Sequence, residues 1–167
     1  MKQEVVHHTL GPIYDCNSKI LILGTMPSPK SREVGFYYSH PQNRFWRVMA
    51  EVFQKELPKT IEEKKNFLYQ NGIALWDVLQ SCTIVGADDN SIKYPVINDI
   101  GRIISGSNIR NIYTTGTKAT ALYKKYCLPI IKVNSIALPS TSPANCRKGL
   151  SDLIREYQII LDESICN

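Results

Sequence analysis

The chain has 167 residues, with 20 Lys and Arg against 15 Asp and Glu, a net charge of +5 and a pI near 8.9. Hydrophobic residues make up 43% of the chain, which excludes a disordered polypeptide and predicts one domain over residues 1–167. No apolar run reaches the roughly 18 residues of a membrane helix, and the first residues lead into no secretory signal. We therefore expect a soluble, cytoplasmic monomer whose basic charge suits a polyanionic partner without requiring one.

The cysteines are widely spaced and form no CxxC pair, which disfavours a zinc ribbon, a disulfide framework and an iron–sulfur cluster. The histidines are His7, His8 and His40, and we expect the first two to form a mobile pair near the N-terminus. A histidine-rich metal site is therefore also disfavoured. We expect no metal and reduced, mostly structural thiols at Cys16, Cys82, Cys127, Cys146 and Cys166.

Apolar runs and amphipathic patterns alternate along the chain. Four apolar runs are typical of strands that are buried on both faces of a parallel sheet. The predicted strands cover residues 19–24, 73–77, 109–115 and 129–137. The predicted helices cover residues 45–53, 60–71 with a Thr60–Glu63 capping box, 97–104, 117–126 and 150–161. This alternation predicts an α/β fold: a three-layer α/β/α sandwich with a central, mainly parallel four-stranded sheet.

Two stretches, residues 25–42 and 80–95, have no assignable element, and each directly follows a predicted strand. Ligands of open α/β sheets bind beyond the carboxyl ends of the strands. Long loops at that edge are therefore where we expect function.

Several common cofactor and catalytic motifs are absent. The sequence contains no GxxxxGK[ST], no GxGxxG after a strand and no GxSxG. Gly116-Thr117-Lys118-Ala119 lacks both the first glycine and the hydroxyl of a phosphate-binding loop. We expect no cofactor.

Three loops carry polar and aromatic side chains. Residues 24–32 combine hydroxyls, cations and backbone N–H groups, which suit phosphate oxygens, although an ordinary Pro/Ser turn has the same composition. Residues 138–148 form a rigid, hydroxyl-rich loop that ends in cations; it could press into a DNA groove or lie on a solvated face. The candidate DNA-binding residues are Ser28, Lys30, Ser31, Arg32, Ser140, Thr141, Ser142, Asn145, Arg147 and Lys148.

Residues 35–46 place three aromatic residues before a polar elbow that enters a helix. Aromatic faces can stack an unpaired base. Asn43 offers a donor and an acceptor for a water or a base edge, but asparagine is also a leading helix N-cap. His40, which precedes Pro41, could be a turn residue.

These motifs resemble the uracil-DNA glycosylase superfamily. Its hypoxanthine-DNA glycosylase branch is the closer match, and the mismatch-specific uracil/thymine branch has a very similar elbow. The resemblance runs from about Pro12 to the last helix. It rests on residues 24–28 (GTMPS), 37–46 (YYSHPQNRFW), 76–79 (WDVL) and 138–145 (LPSTSPAN).

The resemblance implies a parallel four-stranded sheet between helices, no metal or organic cofactor, and excision of a deaminated base from DNA. In the mismatch-specific branch the first turn reads G-I-N-P, and its asparagine positions the attacking water. Met26 occupies that place here and cannot do this work. In the hypoxanthine branch the elbow asparagine has the role, which implies Asn43 as the catalytic residue.

The resemblance also implies a set of residues around the flipped base. Tyr38 falls where the mismatch-specific branch stacks an aromatic ring. Asp77 could accept the N1–H of hypoxanthine, or it could cap the next turn. The expected base-binding residues are Gly24, Thr25, Met26, Tyr38, His40 and Asp77.

We expect a simple glycosylase that leaves an abasic site, because no lysine at a motif position suits Schiff-base chemistry. The base itself remains open among hypoxanthine, uracil and mispaired thymine. Two other classes also remain open: a DNA-binding module without catalysis, and a hydrolase that pairs Ser28 or Ser140 with His40.

Overall fold

The computed structural model describes residues 2–164, with side chains through residue 162. In chain order the elements are β1 (Gln3–His7), β2 (Ile20–Gly24), α1 (Pro29–Val34), α2 (Phe45–Phe53), α3 (Ile61–Gln70), β3 (Ile73–Asp77), β4 (Leu79–Val85), β5 (Asp88–Ile97), α4 (Ile100–Ser105), β6 (Asn111–Thr115), α5 (Thr117–Leu122), a π-helical turn (Tyr123–Cys127), α6 (Leu128–Ile131), β7 (Ser135–Leu138), α7 (Leu150–Tyr157) and α8 (Ile159–Ser164).

The centre of the fold is a parallel sheet of four strands in the order β3–β2–β6–β7. All five residues of β2 and of β3 are buried, as their continuous apolar runs predict. Both faces of the sheet are therefore covered, and the predicted three-layer α/β/α sandwich is confirmed.

Two of the helices follow the predicted patterns closely. The buried face of α2 includes Phe45, Val48, Met49 and Val52, and this helix packs against α7. At the start of α3, Thr60 Oγ1 accepts from the backbone N–H of Glu63 at 3.1 Å, and the Glu63 carboxylate accepts from the backbone N–H of Thr60 at 3.2 Å. This is the predicted capping box.

A second sheet was not predicted. Strands β1, β4 and β5 form a three-stranded antiparallel sheet in the order β1–β4–β5, so residues 80–95 are a hairpin rather than a long loop. Register shifts along the β4–β5 pair interrupt the strict alternation that identifies strands in a sequence.

The predicted strand over residues 129–137 is wrong in its first part. Residues 128–131 are the helix α6, which ends where Lys132 adopts a left-handed conformation with φ of 61°, and the strand begins only at Ser135. Short apolar runs do not distinguish a helix from a strand, and Pro129 in the first turn suits a helix. The predicted C-terminal helix also divides, at Gln158, into α7 and α8.

The free cysteines within the described residues are Cys82 and Cys127, which are buried, and Cys16 and Cys146, which are exposed. Cys166 lies outside the described residues. No group of three or more histidine, cysteine or acidic residues that could hold a metal occurs in residues 2–162. No helix in the described part of the chain is long and apolar enough to cross a membrane.

Candidate active site

A pocket of about 140 Å³ lies at the carboxyl ends of the parallel strands. It is lined by Gly24 at the end of β2, Asp77 at the end of β3, Thr115 at the end of β6 and Ser140 beyond β7. The loops beyond the carboxyl ends of the strands, where we expected a functional site, thus form one concave pocket.

Asp77 lies in the wall of this pocket, with its side chain only 5% exposed. A β-carbon on Gly24 would lie 2.5 Å from Asp77 Oδ1 and 3.4 Å from Tyr38 Oη. Glycine is therefore required at position 24 for the carboxylate to approach the backbone so closely. Asp77 Oδ2 is 2.8 Å from His8 Nε2.

Tyr38 presents an aromatic ring to the pocket. The ring stacks on Phe45, with centroids 3.9 Å apart and planes at 14°, and it is half-buried. Its backbone has a φ of 54°, a left-handed conformation that costs energy for a tyrosine. Burial raises the pKa of the Tyr38 phenol, and the charge of Asp77 raises it further, so the group stays neutral. The Thr115 hydroxyl, which interacts with the Tyr38 phenol, partly offsets this rise in pKa.

Asn43 lines the same pocket and also stabilises the entry to α2. Its Oδ1 accepts from the backbone N–H of Phe45 and from Thr141 Oγ1, each at 2.9 Å. A carbonyl oxygen has two lone pairs, so both are occupied. The Asn43 Nδ2 group has no partner in the described part of the chain and remains free for a water or a ligand. The N-cap of α2 is Arg44, so Asn43 lies one residue before the predicted cap position, although its side chain still accepts the N–H of Phe45.

The turn after β2 supplies further donors to the pocket. Within residues 2–164, the backbone N–H groups of Met26 and Ser28 have no hydrogen-bond partner. Ser28 Oγ accepts from Ser31 N at 3.2 Å and so caps α1. Ser31 is 2% exposed and accepts from Ser39 N, so it stabilises the turn, and a contact with a DNA phosphate would require it to become exposed.

The loop over residues 140–148 is fastened to the elbow by Arg44. Its side chain donates to the backbone carbonyls of Ser142 and Asn145, each at 3.0 Å, and to those of Thr141 and Lys148. Thr141 is 2% exposed and donates to Asn43, so it braces that residue rather than facing a DNA backbone. Ser140 and Ser142 line the pocket.

The predicted phosphate-binding cations differ in their partners. Lys30 pairs with Glu33, Arg32 with Glu4 and Lys148 with Glu156. Arg147 is exposed and has no ion-pair partner within residues 2–162. Arg147, Lys148 and Lys118 line an open groove that adjoins the pocket and shares Thr115, Ser140 and Ser142 with it.

His40 is the predicted base-binding residue that does not fit its role. It does not line the pocket, and its Nδ1 accepts from the backbone N–H of Gln42 at 3.1 Å. Its carbonyl accepts from Asn43 N at 2.9 Å. His40 therefore holds the tight turn before Asn43, the alternative that Pro41 already indicated.

Sequence reasoning missed two residues at the pocket. His8 was expected to be mobile, but its side chain is 2% exposed and it contacts Asp77. Asp89, on the hairpin, lines the pocket, and its Oδ2 accepts from Thr25 Oγ1 at 3.4 Å. Desolvation raises the pKa of the Asp89 carboxyl, and the charge of Asp77 adds to the rise. Neither residue belongs to a motif; Asp89 lies in β5 and His8 directly follows β1, so both depend on the antiparallel sheet that the sequence did not predict.

A carboxylate, a free amide and a stacked aromatic ring suit an enzyme that acts on a heterocyclic base. Comparisons with known proteins identify the family to which the chain belongs. A sequence model described as the uracil DNA glycosylase superfamily matches residues 12–159. The chain therefore belongs to the uracil DNA glycosylase superfamily, and it is a DNA glycosylase.

Individual relatives agree with this assignment. Hypoxanthine DNA glycosylase from Methanosarcina acetivorans is 34% identical over 140 residues, which cover 81% of this chain and 85% of the relative. Hypoxanthine DNA glycosylase from Methanosarcina barkeri is 32% identical over 110 residues, 65% of this chain and 70% of the relative. A solution NMR structure of a candidate uracil DNA glycosylase from M. acetivorans superposes with a TM-score of 0.78 at 29% identity, covering 95% of this chain and 99% of that one.

Proposed function

We propose that this glycosylase flips a deaminated base, preferentially hypoxanthine, out of DNA and hydrolyses its N-glycosidic bond, leaving an abasic site for base excision repair. The observation that carries the choice of base is the buried Asp77 carboxylate in the pocket wall. The relatives named as hypoxanthine DNA glycosylases support the same substrate.

An ionised carboxylate accepts hydrogen bonds and donates none. Hypoxanthine has an N1–H that Asp77 can accept, whereas adenine has a lone pair at N1 that the carboxylate repels. Guanine also has an N1–H, so Asp77 alone does not reject it. Guanine paired with cytosine is costly to extrude, whereas a mispaired base leaves the stack more readily, and this difference adds to the selectivity.

The pocket residues divide the work of holding a flipped base. The Tyr38 ring, backed by Phe45, offers a stacking surface worth roughly 1–3 kcal/mol. Met26 and Ser28 line the pocket, and their free N–H groups could donate to an oxygen or nitrogen of a bound purine. These donors would also stabilise negative charge on the departing base.

Bond cleavage leaves the electron pair on the departing base and produces an oxocarbenium-like sugar. A water captures this sugar at the anomeric carbon, and the proton that the water loses neutralises the base anion. Asn43 contacts such a water through Nδ2, because its Oδ1 already accepts two hydrogen bonds. An N–H donor holds the water oxygen but removes no proton. The contribution of Asn43 is therefore the position of the water rather than its deprotonation.

The alternative within the superfamily is a uracil or mispaired-thymine glycosylase. Uracil and thymine each have a ring N–H, at N3, which could bond to the same Asp77 oxygen. The alternative outside catalysis is a DNA-binding module, against which the free Asn43 amide in the pocket argues.

Labelled duplexes that differ at one position separate these functions. Each duplex carries hypoxanthine, uracil opposite guanine, thymine opposite guanine, or no altered base, and alkali then cleaves any abasic site. We expect the fastest cleavage at hypoxanthine and none without alkali. Fastest cleavage at uracil or thymine would favour the superfamily alternative, and binding without cleavage would favour the DNA-binding module.

A further inference from the structure

His8 lies against the base pocket although it precedes the residues that the family model matches, which begin at residue 12. Its side chain is 2% exposed, and its Nε2 lies 2.8 Å from Asp77 Oδ2. Since an ionised carboxylate only accepts, Nε2 carries the proton of this hydrogen bond. A nearly buried carboxylate thus has an imidazole donor 69 residues away in the chain.

The antiparallel sheet holds His8 in place. β1 pairs with β4, and the backbone N–H of His8 donates to Gln80 O at 2.7 Å directly beyond that pairing. The imidazole ring packs edge-on against Trp76, with centroids 6.4 Å apart, and at a tilt against Tyr37, at 6.1 Å. These contacts leave the ring little freedom to turn away from Asp77.

The two oxygens of the Asp77 carboxylate consequently differ. Oδ2 accepts from His8, whereas Oδ1 lies above Gly24 with no side-chain donor from the described residues. Removal of His8 would leave Asp77 Oδ2 without its side-chain donor, so the carboxylate would be free to rotate. A rotated Asp77 would no longer offer Oδ1 as an acceptor in the same place.

We propose that His8 is a positioning residue for base recognition: it fixes the orientation of the Asp77 carboxylate, so that Oδ1 accepts the ring N–H of the flipped base. This inference rests on the proposed function, because it gives Asp77 a substrate contact. If His8 has this role, the segment that follows β1 contributes to the choice of base as well as the motif residues.

The test compares His8→Ala, His8→Gln and His7→Ala by single-turnover excision of hypoxanthine from a duplex. His7 is the exposed neighbour that ends β1, and it serves as the control. We expect His8→Ala to lower the rate about tenfold or more, as loss of a charge-assisted hydrogen bond predicts. His8→Gln, which retains an N–H donor, should recover most of that loss, and His7→Ala should stay within about twofold of wild type.

Asp77→Asn and the double variant His8→Ala/Asp77→Asn complete the cycle. If His8 acts through Asp77, His8→Ala should have little further effect once the carboxylate is absent. Equal losses in both backgrounds, or no recovery in His8→Gln, would overturn the proposal even if the variants are less stable. Unfolding curves of all variants separate a loss of fold from a loss of recognition.

The same variants distinguish failure of this inference from failure of the proposed function. If wild type excises uracil rather than hypoxanthine, the proposed substrate is wrong, and the cycle is repeated with uracil, whose N3–H requires the same acceptor. If wild type excises neither base, affinity for a deoxyinosine duplex relative to an unmodified duplex replaces the rate. A wild type with no such preference would overturn both proposals.

Discussion

At the scale of single residues, the account depends on one carboxylate oxygen. Asp77 Oδ1 is the acceptor left in the pocket once His8 holds Oδ2, and Gly24 permits its close approach to the backbone. The sequence indicates Asp77, because it ends a buried strand and belongs to a motif. It does not indicate His8, since a histidine near a chain end has no periodicity or spacing that ties it to residue 77.

Asp77→Asn tests the contact with the base. The amide keeps the size of the side chain but removes the charge and offers a donor in place of one acceptor. We expect hypoxanthine excision to fall by roughly 1.5–3 kcal/mol, the range for a hydrogen bond to a charged group. Hypoxanthine and uracil duplexes are compared in wild type and variant. Equal excision of hypoxanthine by both proteins, with normal folding, would leave Asp77 with a structural role only, as the partner of His8.

Gly24→Ala tests the close approach in the same wall of the pocket. The new β-carbon would lie 2.5 Å from Asp77 Oδ1, so the carboxylate must move. We expect excision to fall about tenfold or more, comparable with the loss of the Asp77 contact. Gly11→Ala is the control, because a β-carbon there has no atom within 4 Å. Similar excision rates for Gly24→Ala and Gly11→Ala would show that excision does not depend on the close approach of Asp77 to residue 24.

At the scale of elements, the strands and helices of the sandwich follow from hydrophobic patterns, whereas the antiparallel sheet does not. β2 and β3 are apolar throughout and buried throughout. In β1, only Val6 is buried, so its sequence has no strand signature. The loop over residues 140–148 was predicted for its composition, but its shape depends on backbone carbonyls bound to Arg44, and no sequence pattern shows such contacts.

Arg44→Lys tests that fastening. A lysine is a compact donor that cannot bond to several carbonyls in the fixed geometry of a guanidinium. We expect faster hydrogen exchange at the amides of Ser142 and Asn145 and weaker DNA binding, with the helix α2 retained. Arg47→Lys, an exposed change on the same helix, should alter neither. Unchanged hydrogen exchange at both amides in Arg44→Lys would contradict the proposal that Arg44 holds the loop in place.

At the scale of the whole molecule, the net charge of +5 favours the attraction of DNA, whose backbone is a polyanion. The groove next to the pocket is lined by three cations, Lys118, Arg147 and Lys148, and by three acidic residues, Asp88, Asp89 and Glu156, of which Asp89 also lines the pocket. Of these cations, Lys148 pairs with Glu156, whereas Arg147 is exposed and has no ion-pair partner within residues 2–162, so Arg147 is available to a phosphate. Composition alone shows the excess of positive charge but not which cation is available.

DNA affinity should therefore fall steeply with salt. Arg147→Ala should reduce the magnitude of the salt slope by up to about one unit, because the exposed guanidinium can neutralise a phosphate. Lys148→Ala should reduce it less, since Lys148 already pairs with Glu156. Lys55→Ala, an exposed change after the far end of α2, is the control. An unchanged slope for both loop variants would move the phosphate contacts elsewhere.

The most direct test of the account is single-turnover excision of hypoxanthine by wild type, Asn43→Ala and Asn43→Ser, with duplex affinity measured on the same proteins. Serine keeps an oxygen that can cap α2 but has no amide to hold the water. We predict that both variants lose at least about 100-fold in the rate of hypoxanthine excision, while duplex affinity stays near the wild-type value. A folded variant that loses less than about tenfold, or recovery of the rate in Asn43→Ser, would contradict a catalytic amide at Asn43.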